Sequence, residues 1–298
     1  MVKITVLSDN YSNAQCPEFL TEHGYSLYIE FQGLKILVDT GASDNFLKNA
    51  ELLGLNISEI DFAVLSHGHR DHTGGLKHLI SQTHCPIYLS ENVFDKKFHS
   101  CRGDKGLRNI GTDLELLEKY SNRFRIVSEN CWLTDEIALV CNKDFGYPKP
   151  YGNKFLTAEV DCEIFSDDFS HELHLCIVTE GGLEIISPCS HGGFGNIVSA
   201  CREFTGIENV VRYTGGLHIV ESEQVAAEVA SFLEVKSSLT PSTIINTSHC
   251  TCPEAMRLIE ENVNNIQYID NYSPKKDITI NIMIVNENVF CLYPIIIL

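Results

Sequence analysis

Three histidines and one aspartate lie within residues 67–72, and this cluster constrains the fold of the chain more than any other feature. The segment 66–75 reads SHGHRDHTGG and directly follows the apolar run 62–65. A short apolar run that leads into a polar, glycine-containing segment is typical of a buried strand that ends in a loop. The pattern therefore predicts a loop of imidazoles and a carboxylate at the end of a buried strand.

The spacing of these side chains suits a metal site. His67 and His69 are two residues apart, so both can reach one point from an extended or tightly turned backbone, whereas Asp71 and His72 can face a neighbouring point. Imidazole nitrogen and carboxylate oxygen are ligands for borderline divalent ions. A polar loop that carries histidines by chance would explain one histidine better than it explains this combination. The sequence predicts one or two divalent metal ions, with zinc preferred over manganese or iron.

The same motif resembles the signature of a known fold family. The pattern His67-x-His69-x-Asp71-His72 is similar to that of the metallo-β-lactamase fold superfamily, and the LVDTG segment at 37–41 resembles the strand and aspartate that precede it there. Three later segments resemble the subgroup of dihydropterin–ribofuranosylaminobenzene phosphate synthases: PCSHGG at 188–193, GGLH at 215–218 and HCT at 249–251. The resemblance covers essentially the whole chain and implies an α+β fold, the four-layer αββα sandwich.

The resemblance also implies further site residues. It assigns His191 and His249 as metal ligands and leaves His218 as a catalytic candidate that contacts substrate, shuttles protons or supports the ligands. Each of these three histidines follows an apolar, strand-like run, and loop residues at strand ends converge on functional sites. Asp71 is expected to act as ligand and catalytic base, and Asp39 to support the histidine loop through hydrogen bonds.

One departure from the superfamily pattern concerns a bridging ligand. Many members carry a bridging aspartate after the strand that here leads into the segment 188–191, and this chain has none there. The bridging role is therefore in doubt. His171 is a candidate for the third-histidine position, although a plain strand-edge role is favoured. Cys189 and Cys250 flank two of the expected ligands, and a packing role is favoured for them over ligation or thiol reactivity.

A substrate-binding site is predicted just beyond His191. Gly192, Gly193 and Asn196 lie there at the start of a predicted helix. Free backbone amides at a helix start favour anions such as phosphate. These three residues are therefore predicted to contact the substrate.

The apolar patterns divide the chain into two β-rich halves with helices between the strands. Strands are predicted over 4–8, 26–31, 35–39, 62–66 and 86–89 in the first half, and over 173–179, 183–187 and 243–246 in the second. This pattern favours one domain over residues 1–298. The segment from about 101 to 152 is less regular and is interpreted as a lid or substrate wall inserted over the site, with a surface excursion as the alternative.

Charge and cysteine content limit the partners and the compartment. The chain of 298 residues has 22 basic and 40 acidic residues, a formal charge of −18. Such a surface repels phosphate backbones, so a small molecule is the expected partner and nucleic acid is not.

The 12 cysteines lack zinc-ribbon spacing and favour a reducing cytoplasm over a disulfide framework. The apolar stretch 278–298 contains polar interruptions and predicts a strand pair or buried tail, not a membrane span. The oligomeric state stays open.

These features favour an enzyme. The expected function is a metal-dependent hydrolase that uses a metal-activated water on a small ester or phosphate-containing substrate. The resemblance to the synthase subgroup implies, as the alternative, a transferase that joins a dihydropterin to an aminobenzene ribofuranosyl phosphate. A non-catalytic ligand-binding protein on the same fold is the third interpretation, and the complete first motif argues against it.

Overall fold

The structure is a computed structural model that describes residues 1–12, 17–103 and 106–263, together with the backbone of 266–268. The predicted strand pair or tail at 278–298 lies outside the described residues. Within the described part of the chain, no helix is long and apolar enough to cross a membrane.

The described residues form the following strands and α-helices. The strands are β1 (Lys3–Ser8), β2 (Ser26–Phe31), β3 (Leu34–Val38), β4 (Phe62–Val64), β5 (Ile87–Ser90), β6 (Lys97–Ser100), β7 (Arg108–Asn109), β8 (Phe124–Val127), β9 (Cys131–Trp132), β10 (Ile137–Cys141), β11 (Leu156–Val160), β12 (Glu163–Ser166), β13 (Leu173–Thr179), β14 (Gly182–Ile186), β15 (Val210–Thr214), β16 (Ile244–Thr247) and β17 (Ile266–Tyr268). The helices are α1 (Asn45–Leu52), α2 (Arg70–Thr73), α3 (Leu76–Gln82), α4 (Leu114–Lys119), α5 (Phe194–Thr205), α6 (Val225–Ser237) and α7 (Pro253–Glu260).

Two main sheets hold most of these strands. The first has the order β1-β2-β3-β4-β5-β8, and the second has the order β17-β16-β15-β14-β13-β10-β9. In the first sheet, β3, β4, β5 and β8 run parallel to one another. In the second, β14, β15, β16 and β17 do so. The remaining pairs in both sheets are antiparallel, and β12-β11-β6-β7 form a third, antiparallel sheet.

Side chains alternate between the two faces of each strand, and this alternation produces a layered core. Leu27 and Ile29 of β2 pack in one cluster with Leu175 of β13, so this cluster lies between the two main sheets. Tyr28, which points to the other face of β2, packs with side chains of α1, α3 and α4. On the second sheet, Val140 of β10 packs with side chains of α5, α6 and α7. Because successive side chains of a strand face opposite ways, the result is helix, sheet, sheet, helix. The predicted α+β four-layer sandwich is confirmed.

The residues of the site lie just after parallel strands. Asp39 directly follows β3, and His67 comes shortly after β4. His191, His218 and His249 come after β14, β15 and β16 in the same way. Loops that follow parallel strands leave a sheet at the same edge, and a rigid sheet edge positions functional side chains precisely. The two sheets therefore each contribute one row of loops to the site.

The segment 101–152, predicted as an inserted lid or wall, is divided in the structure. Its strand β8 pairs with β5 in the first main sheet, and its strand β10 pairs with β13 in the second. These parts belong to the sandwich, and their short apolar runs hide that in the sequence. Arg102, Arg108, Asn109 and Ile110 line the cavity described below. A lid motion of this segment and a single domain over 1–298 stay predictions.

Candidate metal centre

Four residues of the site hold left-handed backbone conformations. Asp39, Ser190, His218 and His249 have φ angles of 60°, 58°, 49° and 55° respectively. Residues other than glycine rarely adopt such angles. This strain persists only where surrounding contacts hold it, and it concentrates at functional sites. The four residues lie in turns that follow strands, and these turns bring the predicted ligands together.

Asp39 fixes the orientation of two histidines. Its buried carboxylate accepts hydrogen bonds from the Ser66 amide at 2.7 Å and the Ser66 hydroxyl at 2.6 Å, and from His72 Nδ1 at 2.7 Å. Because the Ser66 hydroxyl donates to Asp39, it accepts from His67 Nδ1, 2.9 Å away. The Nε2 lone pairs of His67 and His72 are thus left free for the site, which is the supporting arrangement that metal-binding histidines need.

His72 and His249 face each other at close range. Their Nε2 atoms are 3.1 Å apart. His249 Nδ1 donates to Asn10 Oδ1 at 2.9 Å and His72 Nδ1 donates to Asp39, so each ring in its neutral form presents an Nε2 lone pair. Facing lone pairs at this distance require a proton or a metal cation near both. Neighbouring nitrogens of a tetrahedral zinc site are about 3.3 Å apart. Asp71 Oδ2 lies 3.6 Å from His249 Nε2 and 3.7 Å from His72 Nε2.

Three more histidine nitrogens are buried without a partner. The Nε2 atoms of His67, His69 and His191 make no hydrogen bond to any described protein atom. The ring centroid of His67 lies 4.6 Å from that of His69 and 5.0 Å from that of His191. Asn153 orients His191 by accepting from its Nδ1 at 3.1 Å and donating to its carbonyl at 2.8 Å. Buried polar atoms are almost always hydrogen-bonded, so these converging lone pairs indicate a cation site.

Burial keeps these imidazoles neutral. It lowers the pKa of His67, His191 and His249 well below the usual value, and neighbouring imidazoles lower the pKa further. Burial raises the pKa of Asp71, but attraction to His72, His249 and other imidazoles outweighs it and holds that pKa well below the usual range. For His72, attraction to Asp71 and Asp39 outweighs burial and raises the pKa. Neutral imidazoles at His67, His191 and His249 and an ionised carboxylate at Asp71 are the protonation states that bind divalent cations.

His218 and Cys250 flank the buried Cys189. Cys189 Sγ lies 3.4 Å from His218 Nδ1 and 3.2 Å from Cys250 Sγ. Burial lowers the pKa of His218 to about 3, and the nearby Arg102 adds to this effect. His218 Nε2 is buried and has no partner among the described residues. The structure thus brings His218 to the metal-site histidines, with its ring centroid 4.2 Å from that of His191.

His171 makes hydrogen bonds through both ring nitrogens. Nδ1 accepts from the Gly68 amide at 3.0 Å, so Nε2 donates to Asp167 Oδ2 at 3.1 Å. The same Asp167 oxygen lies 3.6 Å from His69 Nε2. With both nitrogens engaged, His171 supports the histidine loop through Gly68 and has no lone pair to offer a metal.

A cavity of about 780 Å³ opens onto the site. Its wall contains Asp71, His69, His191, His218 and His249, together with the arginines Arg70, Arg102 and Arg108. Arg102 is half-buried, and its Nη2 atom is buried without a hydrogen-bond partner among the described residues. The Arg102 guanidinium carbon lies 5.6 Å from the centre of the Phe155 ring. The wall of the cavity therefore holds the predicted metal ligands together with an arginine that has no carboxylate partner among the described residues.

Comparisons with known proteins identify the architecture. Residues 21–107 match the family model described as the metallo-beta-lactamase superfamily. The solved structure of Tm1679, described as a metal-dependent hydrolase of the beta-lactamase superfamily, aligns with a TM-score of 0.72 at 26% identity, over 91% of this chain and 97% of that chain. The chain has the metallo-β-lactamase fold.

Two curated relatives of this metallo-β-lactamase-fold chain point to different activities. It is 29% identical over 271 residues to the 7,8-dihydropterin-6-methyl-4-(beta-D-ribofuranosyl)-aminobenzene-5'-phosphate synthase of Methanocaldococcus jannaschii, which covers 87% of this chain and 91% of that protein. A UPF0173 metal-dependent hydrolase of Staphylococcus aureus is 33% identical over 97 residues, 31% of this chain and 40% of that protein. The similarity to the synthase is thus nearly full-length, and that to the hydrolase is partial.

The predicted anion site at Gly192, Gly193 and Asn196 is corrected by the structure, because the chain's own groups occupy these donors. The Gly192 amide donates to Glu172 Oε2 at 2.8 Å, and the Gly193 amide donates to a backbone carbonyl at 3.0 Å. The Asn196 side chain accepts from and donates to the backbone of residues 145–147. In this metallo-β-lactamase fold the three residues therefore build the turn that carries His191, and they leave no free donors for a substrate phosphate.

Several residues that orient the ligands were not found from the sequence. They are Asp9, Asn10, Asn153 and Glu172, and Arg102 of the cavity wall was not found either. Asp9 accepts from the Ser248 hydroxyl and from the His249 amide, and burial raises its pKa to about 7. Asp9 and Asn10 directly follow β1, so an apolar strand followed by polar residues, the signal that marked the first motif, could have found them.

Proposed function

We propose that this metallo-β-lactamase-fold protein is a metal-dependent hydrolase of a small ester or phosphate-containing substrate. The observation that carries the proposal is the set of buried histidine Nε2 atoms that converge beside a cavity of about 780 Å³ without hydrogen-bond partners among the described residues. Each buried polar atom without a partner costs about 1–3 kcal/mol. Bound cations would offset that cost, and they would explain why several histidine nitrogens without hydrogen-bond partners lie close together.

Two groups of side chains would hold the ions. His67, His69 and His191 form one group, and Asp71, His72 and His249 form the other. Bound divalent ions supply a water of lowered pKa and polarise the substrate oxygen, with zinc preferred over manganese or iron. The side chain of Asp71 is 22% exposed, so its ionised carboxylate reaches the cavity and takes up the proton of the attacking water. His218 lies in the same cavity wall and contacts the substrate.

The purified protein is expected to contain one or two divalent ions per chain, because the two groups offer neutral nitrogens and a carboxylate in the arrangement that binds them. Elemental analysis measures the content before and after addition of Zn²⁺, Mn²⁺ or Fe²⁺. Hydrolysis of simple ester and phosphodiester probes should stop when a chelator removes the ions. A chain with no metal that also fails to take up any added ion would contradict the proposal. Bound metal without any turnover would favour a non-catalytic ligand-binding protein.

The position of Arg102 favours a substrate that carries a negative charge. No acidic side chain of the described residues pairs with Arg102, whose guanidinium lies half-buried in the cavity wall. A guanidinium matches the geometry of a phosphate and forms charge-assisted hydrogen bonds with it. A substrate phosphate would thus supply the partner that Arg102 Nη2 lacks. This assignment replaces the predicted phosphate site after His191.

Replacing Arg102 by methionine is expected to weaken inhibition by inorganic phosphate about tenfold or more, because a charged hydrogen bond contributes about 1.5–3 kcal/mol. Metal content should not change. Competitive inhibition of probe hydrolysis measures the effect. Arg125→Met is the matched control, since Arg125 lies on β8 outside the cavity wall and donates to backbone carbonyls of its own segment. Equal inhibition of wild type, R102M and R125M would remove Arg102 from substrate binding.

The second candidate function is a transferase. It is favoured by the 29% identity to the Methanocaldococcus jannaschii synthase over 91% of that protein. A transferase of this kind would use the same cavity for a dihydropterin and an aminobenzene ribofuranosyl phosphate. Rapid consumption of a dihydropterin pyrophosphate only when the aminobenzene ribofuranosyl phosphate is present would establish the transferase. Hydrolysis of probes without such dependence would favour the hydrolase.

A small molecule is the proposed partner, and nucleic acid is not. The net charge of −18 opposes binding of a polyanion at physiological salt, whereas metal ions reverse the local charge at the cavity for a small anion. Efficient, metal-dependent cleavage of a structured RNA would contradict this. A cytoplasmic location is proposed on the cysteine pattern alone.

A further inference from the structure

We propose that His23 is a positioning residue for Asp71, whose carboxylate it holds toward His72 and His249. This inference rests on the proposed function, in which Asp71 binds an ion and takes up a proton. It gives a role to a histidine that neither metal-binding group contains.

Three imidazole nitrogens of the described residues surround the Asp71 carboxylate. Asp71 Oδ2 lies 3.4 Å from His23 Nε2, 3.6 Å from His249 Nε2 and 3.7 Å from His72 Nε2. In the proposed centre the His72 and His249 nitrogens offer lone pairs to an ion, so neither of them donates a hydrogen to Oδ2. Carboxylates that bind metals are themselves hydrogen-bonded, and the partner fixes their orientation. His23 is in the place of that partner.

Asn10 determines which nitrogen of His23 carries the hydrogen. Asn10 Oδ1 accepts from His249 Nδ1 at 2.9 Å and from the Gly24 amide at 3.1 Å, so the orientation of the side-chain amide is fixed. Its Nδ2 therefore donates to His23 Nδ1, 3.1 Å away. With Nδ1 as the acceptor, the ring hydrogen of neutral His23 is on Nε2, the nitrogen beside Asp71. His23 thus presents an N–H group to the carboxylate and has no lone pair there for an ion.

The backbone around His23 is held against Asp71. The Tyr25 amide donates to the Asp71 carbonyl at 3.0 Å. A side chain at position 24 would meet the same carbonyl oxygen at 2.8 Å, and the absence of one in Gly24 permits this close approach. His23 therefore belongs to a segment whose position relative to Asp71 is fixed.

The exposure of His23 argues against a role in packing. Its side chain is 74% exposed and lies in the cavity wall. One face of the ring stacks on His249, with centroids 5.6 Å apart and planes at 28°. A side chain this exposed buries little apolar area and adds little to stability in that way. Its directed contacts with Asn10, Asp71 and His249 are therefore better explained by a role in the site.

The first test measures zinc affinity on the full chain by competition with a chromogenic chelator. His23→Ala should bind zinc about tenfold to a hundredfold more weakly than wild type, the usual cost of removing a group that orients a metal ligand. His23→Gln should stay close to wild type, because its amide offers both a donor for Asp71 and an acceptor for Asn10. His84→Ala is the matched control, since His84 is exposed and lies outside the cavity wall.

A double-mutant cycle tests whether His23 acts through Asp71. In an Asp71→Ala background, His23→Ala should change zinc affinity by no more than about twofold, because the group that His23 positions is already gone. In the chain with Asp71 intact, His23→Ala at saturating zinc should lower kcat on an ester probe and leave KM unchanged, since a residue that acts on the base does not bind the substrate.

The outcomes separate this inference from the proposed function. If wild type binds zinc and His23→Ala binds it equally well, the inference is wrong and the metal centre stands. Equal losses of affinity with and without Asp71 would also contradict it, as would a raised KM with unchanged kcat, which would make His23 a substrate contact. If His23→Ala and His23→Gln are equally impaired and both melt at a lower temperature, the role is structural. If zinc does not bind wild type, the proposed function fails and the inference fails with it.

Discussion

Replacing His72 by alanine is expected to remove most of the bound metal. His72 Nε2 lies 3.1 Å from His249 Nε2, and its loss takes one bond from a shell of about four. The remaining ligands, His249 and Asp71, cannot close such a shell by themselves. His69→Ala should act in the same way on the other group, because its Nε2 is one of the unpartnered nitrogens. Elemental analysis after desalting measures the loss.

Two other histidines serve as controls for this expectation. His78 lies on α3 away from the cavity, so His78→Ala should keep its full metal content. His174 is fully buried, but both of its nitrogens are hydrogen-bonded, to Ser187 Oγ and Asn142 Oδ1. His174→Ala should therefore lower stability without lowering the metal content of the folded protein. Equal loss of metal from His72→Ala and both controls would mean that the histidine loop has a structural role.

The sequence predicted the sandwich well because its signals are local. In β2 the residues Leu27 and Ile29 enter the core between the sheets, whereas Tyr28 faces the helices. This alternation is a property of neighbouring positions and is visible without a structure. The strand over 26–31 was predicted with the bounds that the structure has. The first metal motif is equally local, since its four ligand-type residues lie in one loop.

The partners of the site could not be predicted, because they come from distant positions. Glu172 accepts from the Gly192 amide, which was predicted to bind phosphate, and it lies 20 residues before Gly192. Asn10 orients His249 from 239 residues away. A single asparagine or glutamate in a sequence carries no spacing that marks it as a partner. Which carboxylate accepts a hydrogen bond from which amide becomes visible only when the strand ends are brought together in the folded structure.

The surroundings of Cys189 illustrate a different limit. Burial of a cysteine is ordinary, so its sequence context favoured packing over ligation. In the structure its sulfur lies near the ring nitrogens of several histidines and 3.2 Å from the Cys250 sulfur. Whether a cysteine packs or binds an ion depends on side chains that come from other strands. The sequence offered a single indication, the absence of an aspartate in the segment 188–191.

Replacing Asp71 by asparagine is expected to lower the rate of hydrolysis by about a hundredfold or more while the fold survives. The amide keeps the shape of the side chain but cannot take up a proton, and it binds cations weakly. The fold should persist because Asp71 contributes to it through its carbonyl, which accepts from the Tyr25 amide at 3.0 Å. Steady-state rates on an ester or phosphodiester probe, with circular dichroism as the check on folding, measure the effect.

A titration with excess metal separates the two roles of Asp71. If the carboxylate acts only as a ligand, saturating zinc should restore the rate of the D71N variant. If it also accepts the proton, the variant should bind its ions at high zinc and still turn over slowly, because no other ionised carboxylate in the cavity lies this close to His72 and His249 among the described residues. Asp168→Asn is the matched control, since Asp168 is exposed and pairs with Lys96. Unchanged turnover in D71N would remove Asp71 from the mechanism and leave the base to another group of the cavity, with His218 the first to test.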